Sequence, residues 1–182
     1  MVANSILPAG WIRTGAKESR YSIGLTDEFH HSGGQSAYII CSSNAKDGGF
    51  GTLMQSVKAA GYRGGPVTLS AWLKTEDVTG WAGLWLRVDG DRSLKKPLQF
   101  ENMFERKVTG TTDWTKYEVV LPVAPEAMVI NFGGMLCGAG NAYLDDFTLL
   151  GAPDESLLDS GAVTFDFDQW VNDSPVNMDF SQ

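Results

Sequence analysis

The stretch that decides the fold is Trp81–Asp89, WAGLWLRVD, entered through Thr79-Gly80 and closed by Gly90. Successive side chains of a strand point to opposite faces. Ala82, Leu84, Leu86 and Val88 therefore share one side, an apolar stripe for a core. Trp81, Gly83, Trp85, Arg87 and Asp89 share the other. Strict alternation bounded by glycine on both sides predicts a half-buried strand.

The same period recurs on either side of it. Ser36–Ser42, Thr52–Ala59, Pro66–Thr75, Tyr117–Val123, Ala127–Met135 and Ala142–Leu150 each alternate and follow turn residues, with Gln99–Val108 a less regular member. The charged run Asp91–Lys96 reads as an exposed loop. Short strands at regular spacing, in a chain with 21 Gly and 11% aromatic residues, predict an all-β jelly-roll sandwich. The 182 residues suffice for one core. Composition divides them into a domain over 1–151 and an extension over 152–182, which either docks or frays; Ala162–Phe167 alternates and predicts an added edge strand.

The charge sum of −8 disfavours direct contact with a phosphate backbone, so no nucleic-acid partner is expected. No run approaches the 18 apolar residues of a membrane helix, and no membrane partner is expected. Met1 to Trp11 lacks the basic start and apolar core of a secretory leader. Cys41 and Cys137, each in an apolar stretch, read as buried free thiols of a cytoplasmic protein.

The outward face of Trp81–Asp89 carries the functional expectation. Two indoles beside an Arg and an Asp form a flat apolar surface next to a hydrogen-bonding pair, with Gly83 leaving room between the rings. Sugar rings suit such a surface, because their C–H faces stack on aromatics and their hydroxyls need donors and acceptors. On one parity of Leu98–Arg106, Asn102 and Arg106 would complete a polar pocket with Arg87. The expected ligand-binding set is Trp81, Trp85, Arg87, Asp89, Asn102 and Arg106. The same pattern is met by indoles buried under a loop, a structural Arg87–Asp89 ion pair, and Arg106 paired with Glu101 or Glu105. Trp72 either extends the aromatic surface or caps the sandwich. Trp11 reads as core, and Trp114 as a pin holding a turn onto the sheet.

Asp27 together with Asp146 would suit a structural Ca²⁺, a hard cation that wants several oxygens; equally, these carboxylates cap turns. Catalytic signatures are missing. There is no Gly-x-Ser-x-Gly elbow, no phosphate-binding Gly-Lys-Ser/Thr loop and no His-Glu-x-x-His, and His30 and His31 are adjacent.

Gly80–Gly90, Glu101-Asn102-Met103, Gly110–Tyr117 and Gly138–Phe147 together resemble a bacterial galactose-binding-like jelly-roll domain, related in layout to carbohydrate-binding modules. The resemblance spans most of residues 10–150. It implies a domain that occurs alone or attached to helix-turn-helix regulators, acting as a ligand-sensing or interaction accessory. This chain has no helix-turn-helix pattern of its own. Such domains often open with an Asn-Leu-Asp-Phe-Glu-like segment; here Asn177–Ser181 resembles it instead, as a remnant of a second copy or a tail docking in the equivalent place.

These readings converge on a non-catalytic binding module for a carbohydrate or other small polar metabolite. Two others compete. In one, the aromatic face packs on a partner protein or a second copy of the chain, as in a sensor domain of a transcriptional regulator. In the other, a jelly-roll enzyme acts on polysaccharides through scattered Tyr, Arg and His.

Overall fold

The computed structural model describes residues 6–42, 48–152 and 171–180. Ten strands appear in chain order among the described residues. They are β1 (Trp11–Thr14), β2 (Ser22–Thr26), β3 (Ser36–Cys41), β4 (Phe50–Lys58), β5 (Pro66–Asp89), β6 (Gln99–Glu101), β7 (Val108–Pro122), β8 (Val129–Cys137), β9 (Gly140–Gly151) and β10 (Val171–Asn172). Helical structure among the described residues is confined to three short 3-10 turns. No helix among them is long and apolar enough to cross a membrane. The predicted all-β jelly-roll sandwich is the observed fold.

β5 organises the molecule. The sequence pattern divides it into Pro66–Thr75 and Trp81–Asp89, yet it is one strand of 24 residues. Its first half pairs with β9 and β7, and its second half with β8 and β6. One layer is thus β2-β3-β9-β5-β7 and the other β1-β4-β8-β5-β6, with β10 beside β1 on the free edge of β4. Between Leu73 and Ala82 the pairing with β7 shifts register three times, and Asp77 adopts a left-handed conformation at φ 51°. These bulges exchange the inward parity. Val67, Leu69, Ala71 and Leu73 are buried before them; Ala82, Leu84, Leu86 and Val88 after them. The parity change is what makes a single bent strand read as two.

The core lies between the layers. Leu53, Val57, Ile130, Phe132 and Leu136 from one side meet Ile39, Leu69, Leu73 and Leu144 from the other, all fully buried. Each such side chain contributes roughly 1.5–3 kcal/mol by leaving water. Trp11 packs among Phe132, Phe147 and Phe180 with centroids 5.0–5.8 Å apart, as a core residue.

Of the extension, residues 171–180 dock. Trp11 Nε1 donates to the carbonyls of Val176 and Asn177 at 3.2 and 3.0 Å. The buried Gln55 amide holds both the N–H and the C=O of Val176, at 2.9 and 2.8 Å. The Phe180 ring is wholly buried. The predicted edge strand Ala162–Phe167 lies outside the described residues.

Candidate functional site

The outer surface of the β1-β4-β8-β5-β6 layer carries a cleft of about 850 Å³. Register builds its floor. Trp85 faces Gly133, which faces Met54; Gly83 faces Met135, which faces Thr52; Arg87 faces Asn131, which faces Ser56. Gly133 is required here, since a Cβ would collide with the carbonyl oxygen of Leu53 on β4. Phe50 and Thr14 close one side, and the 90–96 loop with Leu94 and Phe100 raises the other.

Trp85 is only 9% exposed. It is the floor of the cleft rather than an open platform. Its Nε1 donates to Thr52 Oγ1 at 2.7 Å, and that hydroxyl donates to the Gly134 carbonyl at 2.7 Å. Arg87 and Asp89 form an ion pair, Nε and one Nη to Oδ1 at 2.9 and 2.8 Å. Asn131 Nδ2 donates to the second Asp89 oxygen at 2.7 Å, and Ser56 Oγ donates to Asn131 Oδ1 at 2.5 Å. The chain Ser56–Asn131–Asp89–Arg87 runs along the floor. It leaves the Arg87 side chain 47% exposed and Asp89 19%. On the rim, Ser93 donates hydrogen bonds to Asp91 that hold its carboxyl below the usual carboxylate range.

Four residues of the expected set line the cleft: Trp85, Arg87, Asp89 and Asn102. Two do not. The Leu98–Arg106 pattern assumed an unbroken strand, but β6 ends at Glu101 and a 3-10 turn takes over at Phe104–Arg106. Met103, left-handed at φ 60° and fully buried, turns the chain inward and breaks the parity. Arg106 consequently points away, donating twice to the Glu118 carbonyl at 3.1 Å and lying 3.6 Å from Glu101. Met103 also fills the space over Gly83, so that glycine makes room for Met103 and not for a ligand. Trp81 is thereby cut off from Trp85 and meets Phe104 edge-on at 6.0 Å.

The sequence reading missed Met54, Asn131, Met135 and Phe50. A signal existed for two of them. Met54 stands on the non-core parity of β4, where a large apolar residue has no reason to be, and Asn131 is a lone amide in an apolar run.

A second aromatic cluster lies on the other layer. The His31 ring stacks on Trp72 at 3.8 Å and 14°, with Trp114 at 6.0 Å. His31 Nδ1 is 2.7 Å from Asp146, and Ser32 Oγ donates to Asp146 at 2.6 Å. The buried Asp145 accepts the backbone N–H groups of His31, Ser32 and Asp146. Burial raises its carboxyl pKa, and those three N–H groups oppose the rise. Of the expected calcium pair, Asp146 is engaged with the 31–32 loop and Asp27 is exposed. Among the described residues no three His, Cys, Asp or Glu side chains are grouped to hold a metal ion. Trp72 belongs to this cluster, not to the cleft. Neither cysteine forms a disulfide; burial pushes the Cys137 thiol up to about 11, which keeps it protonated and unreactive at neutral pH.

No family model matches the chain. Solved structures do. The CBM22-1 xylan-binding domain of Paenibacillus barcinonensis Xyn10C superposes with a TM-score of 0.56 at 13% identity, over 83% of this chain and 91% of that one. TmCBM61, solved with β-1,4-galactotriose, gives 0.53 at 15% identity over 82% and 92%. The enzymatically active domain of bacteriophage CBA120 tailspike protein 4 gives 0.59 at 12% identity, over 77% of this chain but 19% of that one. The chain has the jelly-roll β-sandwich fold of these carbohydrate-binding modules. Among curated proteins it is similar to the uncharacterized HTH-type transcriptional regulator YbfP of Bacillus subtilis, at 35% identity over 173 residues. That alignment takes in 95% of this chain, which spans 57% of the length of the relative.

Proposed function

We propose that this domain is a non-catalytic module that binds a carbohydrate or similar small polar ligand in the cleft over Trp85. The observation that carries the reading is the alignment, in one concavity, of an indole floor with the hydrogen-bonded Arg87–Asp89–Asn131 chain. An apolar surface beside fixed donors and acceptors is what a sugar ring requires. Among the described residues the cleft lining holds Asp89, Asp91 and Lys96 as its acid–base groups and no histidine, cysteine, tyrosine or glutamate, which supports binding over catalysis.

The likeness to an HTH-type regulator supports a second layer to this reading. The domain would then act as the ligand-sensing part of a longer cytoplasmic regulator, with DNA contacted by other residues. The charge of −8 agrees with that division of labour.

The test is a titration of the protein with xylo- and galacto-oligosaccharides and a panel of free metabolites, followed by tryptophan emission and calorimetry. Saturable binding that Arg87→Met weakens at least ten-fold, while Arg106→Ala leaves it within two-fold, supports the cleft. If no compound perturbs the emission and Trp85→Phe alters only stability, the cleft is not a ligand site.

A further inference from the structure

Deepening the proposed function, and resting on it, the hydrogen-bond state of the cleft specifies its ligand more narrowly than a bare sugar. The polar groups of the floor are already engaged with one another. Thr52 Oγ1 serves Trp85 and Gly134, and Asn131 bridges Ser56 and Asp89. Both Asp89 oxygens have partners, and Asn102 Oδ1 accepts the Phe104 N–H. A sugar ring laid flat on this floor would bury hydroxyls with few open partners, which costs free energy. What the floor does present is apolar and adaptable: the Trp85 face, Met54, Met135 and Phe50. Methionine side chains adjust to rings of varied shape and contact them through sulfur. Open donors stand at the exposed end of the floor chain and on the rim. Arg87 Nη1 has no hydrogen-bond partner among the described residues, and Lys96 lies on the rim loop.

We infer that the cleft takes an amphipathic glycoside. An apolar, ring-sized substituent would rest on Trp85, Met54 and Met135, with the saccharide beside it toward Arg87 and Lys96. The polar and apolar portions are then each matched to the groups left open to them. A plain oligosaccharide satisfies only the polar portion.

The experiment compares methyl and phenyl β-D-glucopyranoside, galactopyranoside and xylopyranoside by calorimetry and tryptophan emission, with phenol as a control. At least one phenyl glycoside is expected to bind about ten-fold or more tightly than its methyl counterpart. Met54→Gln, checked for folding by thermal denaturation, is expected to bring that ratio to within about two-fold of unity. Equal binding of methyl and phenyl forms overturns the inference and leaves the saccharide reading standing. So does a phenyl advantage that survives both Met54→Gln and Trp85→Phe, because the ring would then sit elsewhere. Phenol alone binding as tightly as its glycosides removes the saccharide half of the proposal. Failure of every glycoside and oligosaccharide overturns both readings.

Discussion

Trp72 and Trp85 stand on the same strand, each beside charged residues and each on the outward parity of its layer, yet the molecule treats them differently. Trp85 lies at the bottom of a cleft of about 850 Å³, only 9% exposed and with its N–H tied to Thr52. Trp72 is partly exposed but capped on one face. The His31 ring lies flat on it at 3.8 Å, fixed from behind by Asp146. The difference arises from the neighbours. In the β4-β8-β5 layer, Gly133 removes a side chain from the strand next to Trp85, and the walls rise on either side. In the β9-β5-β7 layer, the loop before β3 folds down onto the indole, anchored by two of its backbone N–H groups, those of His31 and Ser32, on Asp145. An outward tryptophan is thus a site or a seal according to what the adjacent strand and loop leave above it.

The largest test of that contrast removes the gap beside Trp85. Gly133→Val places a Cβ against the Leu53 carbonyl and must part β4 from β8. We expect more than about 4 kcal/mol of destabilisation, read as loss of soluble folded protein or a collapsed thermal midpoint. Next come the indoles themselves. Trp85→Ala should cost about 3–5 kcal/mol, as for a buried aromatic, and abolish ligand binding. Trp72→Ala, at a partly exposed position, should cost about 1–2 kcal/mol and leave cleft binding within two-fold. Denaturant midpoints and titrations on the two variants decide the matter, and equal effects on binding would erase the distinction between the two regions.

These differences were only partly legible beforehand. The alternation Ala82, Leu84, Leu86, Val88 identifies the core face directly, and Trp85, Arg87 and Asp89 follow from the opposite parity. Parity fails wherever one residue leaves the strand conformation. Met103 at φ 60° displaced Arg106 from the cleft and isolated Trp81, and the bulges between Leu73 and Ala82 disguised β5 as two strands. Nor does sequence state which strand lies beside which. Met54 and Asn131 join the cleft only because β8 runs between β4 and β5, a pairing between residues distant in the chain. Asp146 looked free for a cation because its true partners, His31 and Ser32, are more than a hundred residues away.

A smaller effect is expected at the seal. His31→Ala removes one ring stack and one hydrogen bond to Asp146, at a cost of about 1 kcal/mol. The emission difference between His31→Ala and the parent, measured with and without Trp72→Phe, isolates the uncovered indole. A red shift that vanishes in the Trp72→Phe background shows that His31 shields Trp72 from water, whereas a change in cleft affinity of ten-fold or more would mean that the two regions are coupled.

The smallest effect separates the layers by pH. Tyr143, beneath Phe29 in the sealed layer, has its phenol pushed up to about 12, chiefly by burial and then by the neighbouring Glu76. Burial likewise holds Tyr21 at about 12. The unfolded chain sheds these protons near pH 10, roughly the free phenol value, while the folded chain keeps them. The native state therefore binds more protons between about pH 10 and 12. Stability from this source is intact below pH 10 and declines as pH rises through that window. Tyr143→Phe should shallow the decline without abolishing it, because Tyr21 still titrates, and at pH 7 it should cost no more than about 1 kcal/mol for the hydrogen bond to Glu76. Denaturant midpoints from pH 8 to 12, together with phenolate absorbance, measure this. Among the described residues the cleft lining contains no tyrosine, so a matching loss there would point to a different cause. If Tyr143→Phe leaves the alkaline slope unchanged, Tyr143 does not hold its proton through folding, and the sealed layer is more open to water than its packing implies.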